Sequence, residues 1–262
     1  MGAALSLMPH IAGSLRALVS NLIDYAGLYP PAALPLERVA ERYEAYRTSP
    51  ERWMLNRVVL PAAKLAEARM DEDWRVSLVV EHDPGALPRQ VETLETKLAR
   101  RLALPTYREA PLESITGGFV KVRTGGLAPE AIPESEAVAD FLCQAAARRL
   151  PFKATAGLHH PIRSLHPLTY AADSPLAVMH GFLNVFTAAA FAWHGAVRET
   201  VLAVVSEQDP GAFEFLDDEL GWRDQRLSTA QVRAARRDFA HSFGSCSFEE
   251  PVADLRELGF LP

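Results

Sequence analysis

Two of the most strand-like stretches of the chain carry cations at their centres, and that placement constrains the fold more than any other feature. In GFVKVRTGG (118–126) and PFKATAGL (151–158), successive side chains must alternate between two faces of an extended backbone. Phe119, Lys121, Arg123 and Gly125 share one face of the first, with Val120, Val122 and Thr124 opposite. Lys153, Thr155 and Gly157 share one face of the second, with Phe152, Ala154 and Ala156 opposite. Between them PESEAVADFLCQAAARRL (133–150), opened by Pro133, has the spacing of a helix. A strand, a helix and a second strand in that order form a parallel unit whose apolar faces pack on helices. In a closed barrel the outer face is the apolar one, so Lys121, Arg123 and Lys153 point inward.

The same alternation runs along the rest of the chain. SLVVE (77–81) reads as a clear strand, MLNRVVLP (54–61) and LVSNLIDYAG (18–27) as further ones, and FAHSFGSCSF (239–248) as a late strand leading into a loop. Helical spacing predicts helices over 35–49, 88–102, 179–195 and 228–240, the last opened by Ser228, and a closing helix over 248–259 with acids in its first turn. ALPTYREA and FEFLDDELGWRD are weaker strand segments, and the second reads as a hairpin around DDEL. Seven or eight strands in alternation with helices over residues 1–262 predict one α/β domain, a single (β/α)8 TIM-like barrel. An open doubly wound sheet is the alternative, weakened because no glycine-rich phosphate loop follows the first strand.

Composition excludes several function classes. A net charge of −6 argues against nucleic-acid binding, which calls for a basic stripe. The longest apolar candidate, HGFLNVFTAAAFAWHG (180–195), is too short to span a membrane and carries His and Asn. Two cysteines give neither a disulfide framework nor a paired-cysteine metal knuckle, and the N-terminus lacks the basic start of a secretory signal, so a reducing cytoplasm is the expected location. The Met-Gly start is a weak myristoylation cue and is set aside.

Three cations inside a barrel need internal carboxylates, an anionic ligand, or both, because an unpaired buried charge costs several kcal/mol. Asp24, Glu81 and Glu109, each at a strand end, are the acids the sequence offers. Barrel sites lie at the C-terminal ends of the strands, where DYAGLYPP (24–31), RTGG (123–126), GLHHPIR (157–163) and GSCSF (244–248) collect. His159 and His160 follow a strand, and neighbours on an extended segment point oppositely, so at most one enters the site. His180 and Asn184, four apart, share a helix face and with Asp24 offer a divalent-metal set as an alternative; no metal ligand is assigned and no cofactor is expected. Ser245 and Ser247, in small residues before the last helix, suit an anion cradle, against which Glu249 and Glu250 act. Cys246 is a nucleophile without a base that spacing can assign, and Cys143 is a packed thiol.

The segments LIDYAGLYPPA, KVRTGG, FKATAGLHHPIR, MHGFLNVF and FGSCSFEEPVADLRELG resemble those of an uncharacterised bacterial protein family, over nearly the whole chain. That resemblance implies a cytoplasmic bacterial protein and supplies no activity. At the level of fold, the strand lysines are similar to those of barrel-type class I aldolases, which carry a Schiff-base lysine on a strand; no aldolase signature surrounds Lys153. The expected function is an enzyme acting on a small carboxylate or phosphate that bears a carbonyl, by lyase, aldolase or isomerase chemistry. Lys153 or Lys121 would be the reacting amine, and His159 or His160 with Asp24 would move protons. Arg123 would fix the anion, with Gly125, Thr155, His180, Asn184, Ser245 and Ser247 around the substrate. A metal-dependent lyase or hydrolase and a non-catalytic barrel holding an anionic metabolite are the rivals. A small anionic metabolite is the expected partner, with assembly into a homo-oligomer left open.

Overall fold

The β-branched segments read above become strands, and eight of them close into a parallel ring. A computed structural model describes residues 10–98, 102–111 and 117–262; the Met-Gly start lies outside them. The first seven ring strands are β1 (Ile23–Tyr25), β2 (Leu55–Pro61), β3 (Val76–Val79), β4 (Val91–Thr96), β5 (Thr106–Arg108), β6 (Phe119–Arg123) and β7 (Phe152–Thr155). Outside the ring, β8 (Ser164–Pro167) and β9 (Leu176–Met179) form a hairpin. The segments β10 (Phe213–Phe215), β11 (Glu219–Trp222) and β12 (Gln225–Ser228) form a three-stranded antiparallel sheet. The last strand, β13 (Ala240–Ser245), lies between β7 and β1 and closes the barrel. The expected hairpin around DDEL is there as β10–β11, but it belongs to the outer sheet. ALPTYREA supplies β5.

The helical layer is lopsided. Helix α1 (Gly13–Val19) precedes β1, α2 (Leu36–Thr48) follows it, and α3 (Ser135–Ala147) joins β6 to β7. Three more, α4 (Phe182–Trp193), α5 (Arg198–Ser206) and α6 (Thr229–Asp238), lie between β7 and β13, and α7 (Glu249–Glu257) follows the last strand. Among the described residues no α-helix falls between β2 and β6. The helix expected over 88–102 is therefore corrected: its first half is β4, and residues 99–101 lie outside those described. Val91, Leu94 and Leu98 mimic a helical face, but Val91, Thr93 and Thr96 are β-branched and favour a pleated strand. Pairing on both sides, with β3 and β5, then decides the conformation. The strand expected over 18–27 shrinks to β1, because residues 13–19 wind into α1.

Helix α4 is buried on every side and packs against α3, α5, α6 and β13. Its Phe186 and Phe182 reach Phe152 of β7 and Phe243 of β13, with ring centroids 5.9 Å and 5.2 Å apart. Each such ring, removed from water, contributes roughly 2–3 kcal/mol. Helix α6 begins where Ser228 predicts: the serine accepts from the Gln231 amide while the Gln231 side chain accepts from the Ser228 amide. At the N-terminal end of the ring, the half-buried Arg236 guanidinium donates to the carbonyls of Leu18, Ser20, Ala240 and His241, so one side chain ties the end of α1 to β13.

Candidate active site

A cavity of about 630 Å³ opens among the C-terminal ends of the ring strands, where barrel sites form. Its lining includes Glu95, Glu109, Lys121, Arg123, Lys153, Thr155, His159 and Cys246. The register that pairs Lys121 with Lys153 across β6 and β7 puts both amines on the inner face. The period of two thus places the cations as expected.

These cations belong to an alternating chain of charges that starts in the fully buried interior and ends in the mouth. Lys153 Nζ donates to Asp24 Oδ2 at 2.6 Å and to Glu95 Oε1 at 2.5 Å. Lys121 Nζ lies 3.2 Å from Glu95 Oε2 and 3.2 Å from Glu109 Oε2. Arg123 Nη2 lies 3.2 Å from Glu109 Oε1. Hydroxyl and amide donors complete the carboxylates: Ser242 Oγ at 2.8 Å and Asn56 Nδ2 at 2.7 Å on Asp24, and Ser77 Oγ at 2.7 Å on Glu95. Side-chain exposure rises along the chain, from 1% at Lys153 to 11% at Lys121 and 51% at Arg123.

The electrostatics follow from that geometry. Burial pushes the Glu95 carboxyl up, but Lys153, Lys121 and the bond from Ser77 outweigh it and hold the group down at about 2. Burial pulls the Lys153 ammonium down, but Asp24 and Glu95 reverse the sign and keep it charged. At Glu109 burial again pushes the carboxyl up, and Lys121 and Arg123 outweigh it and hold the group below its ordinary range. Asp24, Glu95 and Glu109 balance Lys121, Lys153 and Arg123, so internal carboxylates satisfy the buried cations. Glu81 lines the cavity but makes none of these ion pairs, and Glu95 takes its place. The β-branched pattern of VETLET was the signal that would have put Glu95 on a strand face.

The structure separates the remaining candidates. His159 lines the cavity, with Nδ1 at 3.2 Å from Glu250 Oε2 of α7. His160 turns to Asp254, at 2.5 Å, and stacks on His166 with centroids 3.4 Å apart. One of the adjacent pair enters, although β7 ends at Thr155 and the segment that carries them is not a strand. Thr155 lines the cavity. Gly125 and Gly157 let the ends of β6 and β7 approach, since a side-chain carbon on Gly125 would come within 2.8 Å of the Gly157 Cα. Gly157 also takes a φ of +79°, which favours glycine.

His180 and Asn184 do not join them. His180 is buried, with Nε2 at 2.7 Å from the Pro133 carbonyl, and Asn184 bonds the Val204 and Glu207 carbonyls and the Arg163 amide. Asp24 is committed to Lys153, Asn56 and Ser242, so these three form no common metal set; among the described residues no group of three potential ligands comes together. Ser247 Oγ accepts from the Glu250 amide, which occupies a donor an anion cradle would need. Ser245 Oγ lies 3.5 Å from His159 Nδ1.

No helix among the described residues is long and apolar enough to cross a membrane. Comparison of the chain with protein-family models, with curated proteins and with solved structures finds no match.

Proposed function

We propose that the chain is an enzyme acting on a small carbonyl compound that bears a carboxylate or phosphate, through a Schiff base on a barrel lysine. The observation that carries this reading is the pair of in-register lysines, Lys121 and Lys153, sharing Glu95 beside an open cavity. The two divide the work. Lys153, sealed between two carboxylates, stays charged and fixes Glu95; Lys121, which is better exposed, takes the role of reacting amine.

In the first step the substrate anion takes Arg123 from Glu109, which lets that carboxylate accept a proton from the Lys121 ammonium, 3.2 Å away, and the free amine attacks the substrate carbonyl carbon. A C–N bond forms, the carbonyl oxygen takes a proton from the attacking nitrogen to become a hydroxyl, and Glu109 returns its proton as that hydroxyl leaves as water. The product is a protonated imine, so an ammonium is replaced by an iminium and the charge balance of the cluster is kept. The iminium then draws electrons from the adjacent carbon, allowing bond cleavage or proton loss there, with His159 within the cavity to move the proton. Arg123, half exposed and paired with Glu109 in the cavity mouth, is placed to fix the substrate anion.

Charge neutrality also suits a second reading, a barrel that binds a small anion without chemistry. Borohydride separates the two. Incubation with a panel of 2-oxo acids and keto- or aldose phosphates, followed by borohydride, should leave a stable adduct that maps to Lys121 and is lost in Lys121→Arg. No adduct from any member, or adducts only on Lys64 or Lys97, would overturn the covalent reading.

A further inference from the structure

The sulfur of Cys246 opens on the same cavity as the lysines, and the chemistry above makes no use of it. The loop after β13 carries it against two other segments. His159 Nδ1, from the loop after β7, lies 4.0 Å from Sγ, and Tyr170 Oη, from the loop between β8 and β9, lies 3.6 Å away. An imidazole and a phenol converging on one buried sulfur form a seat for negative charge.

We propose that Cys246 is a second nucleophile of the cavity, paired with His159 as its base, and that it takes small carbonyl compounds carrying an electrophilic carbon. The proposal does not depend on which lysine reacts, or on whether one does.

The surroundings support charge separation between sulfur and imidazole. Glu250, from α7, stands 3.2 Å from the same His159 nitrogen, and Ser245 Oγ 3.5 Å from it. Burial disfavours the imidazolium, but the bonds to Cys246 and Glu250 prevail and raise His159 to about 9. At Cys246 burial disfavours the thiolate, and the hydrogen bond and charge of His159, with Tyr170, outweigh it. Tyr25 of β1, with Arg42 of α2 and Glu249 of α7 around it, also faces the sulfur, and Tyr170 is shared between Cys246 and Glu250. Cys143, on α3, makes the internal control, because burial and Asp140 push its thiol up.

Iodoacetamide reads this pair directly. The thiolate attacks the methylene carbon, an S–C bond forms, the C–I bond breaks, and iodide leaves with the electron pair. In a Cys143→Ser background, with labelling followed by intact mass from pH 5.5 to 9.5, Cys246 should react at a rate that changes little between about pH 6.5 and 8. At pH 6 it should react at least tenfold faster than Cys143 does in a Cys246→Ser protein, and His159→Gln should slow it tenfold or more and restore an ordinary thiol's rise with pH. A Cys246 rate at pH 6 no faster than that of Cys143, or a profile that climbs steadily through pH 8.5, overturns the proposal. The profile of the unmutated pair decides the matter even if the His159 variant does not fold.

Discussion

Replacing Lys153 by methionine removes the cation between two buried carboxylates and leaves the volume nearly unchanged. Asp24 and Glu95 keep their hydroxyl and amide donors but lose the charge at 2.6 Å and 2.5 Å that made burial tolerable. Breaking one side of a buried ion pair costs about 3–5 kcal/mol. A second route gives a similar figure. Glu95 is held at about 2 against an ordinary 4.5, and at about 1.4 kcal/mol per pH unit that net displacement, to which Lys121 and Ser77 also contribute, is worth about 3 kcal/mol.

The pH dependence carries a sign. In the native protein the Glu95 carboxyl is depressed, so its contribution is full above about pH 4.5 and fades as the pH falls towards 2. Without Lys153, burial is opposed only by Lys121 and the bond from Ser77, and the folded-state value moves up from its depressed position. The variant then lacks much of the stabilisation that Glu95 gives the native protein above about pH 4.5, and lacks progressively less of it as the pH falls towards 2. Urea denaturation at about pH 3 and about pH 7 should therefore show Lys153→Met losing about 3 kcal/mol at the higher pH and clearly less at the lower. Lys153→Arg, which keeps the charge, should keep the native pH dependence. A loss below about 1 kcal/mol at about pH 7, or a loss as large at about pH 3, would refute this account of the cluster.

Asn184→Ala should cost about 3 kcal/mol in urea denaturation, since two carbonyls and an amide lose a buried partner, while turnover per folded molecule stays unchanged. A change in turnover without a change in stability would return Asn184 to the substrate. Inorganic phosphate should raise the melting temperature by a few degrees through selective binding to the folded state, and Arg123→Ala should abolish most of that shift. An undiminished shift in the variant would place the anion elsewhere than in the mouth of the barrel.

What was legible in the sequence was governed by the period of two. It put Lys121, Arg123 and Lys153 on inner faces, and the structure agrees because an apolar outer face has only one stable side on which to lie. It also allowed only one of His159 and His160 into the cavity. The reading failed at 88–102, where leucines at helical intervals outweighed the β-branched residues between them, and Glu95 was hidden with the segment. It failed differently at His180 and Asn184: a shared helix face says that two side chains point together, not what they meet. The base for Cys246 was invisible for a simpler reason. Cys246 and His159 are 87 positions apart, and only closure of the ring brings them together.

That closure has a consequence in time. The first ring strand, β1, is three residues long, and its partner β13 is the last strand to be made. The bond from Ser242 to Asp24 spans 218 positions, as does that from Arg236 to the Leu18 carbonyl. Contacts this distant in sequence form slowly, because a long chain must be ordered before they repay the entropy of joining its ends. Until β13 is inserted, β1 and β7 are open edges, able to pair with another chain. A chain not yet extended to β13 thus has an unclosed sheet, and the aspartate that closure buries lacks its bond from Ser242. Its cavity comes into being only when the C-terminal segment arrives.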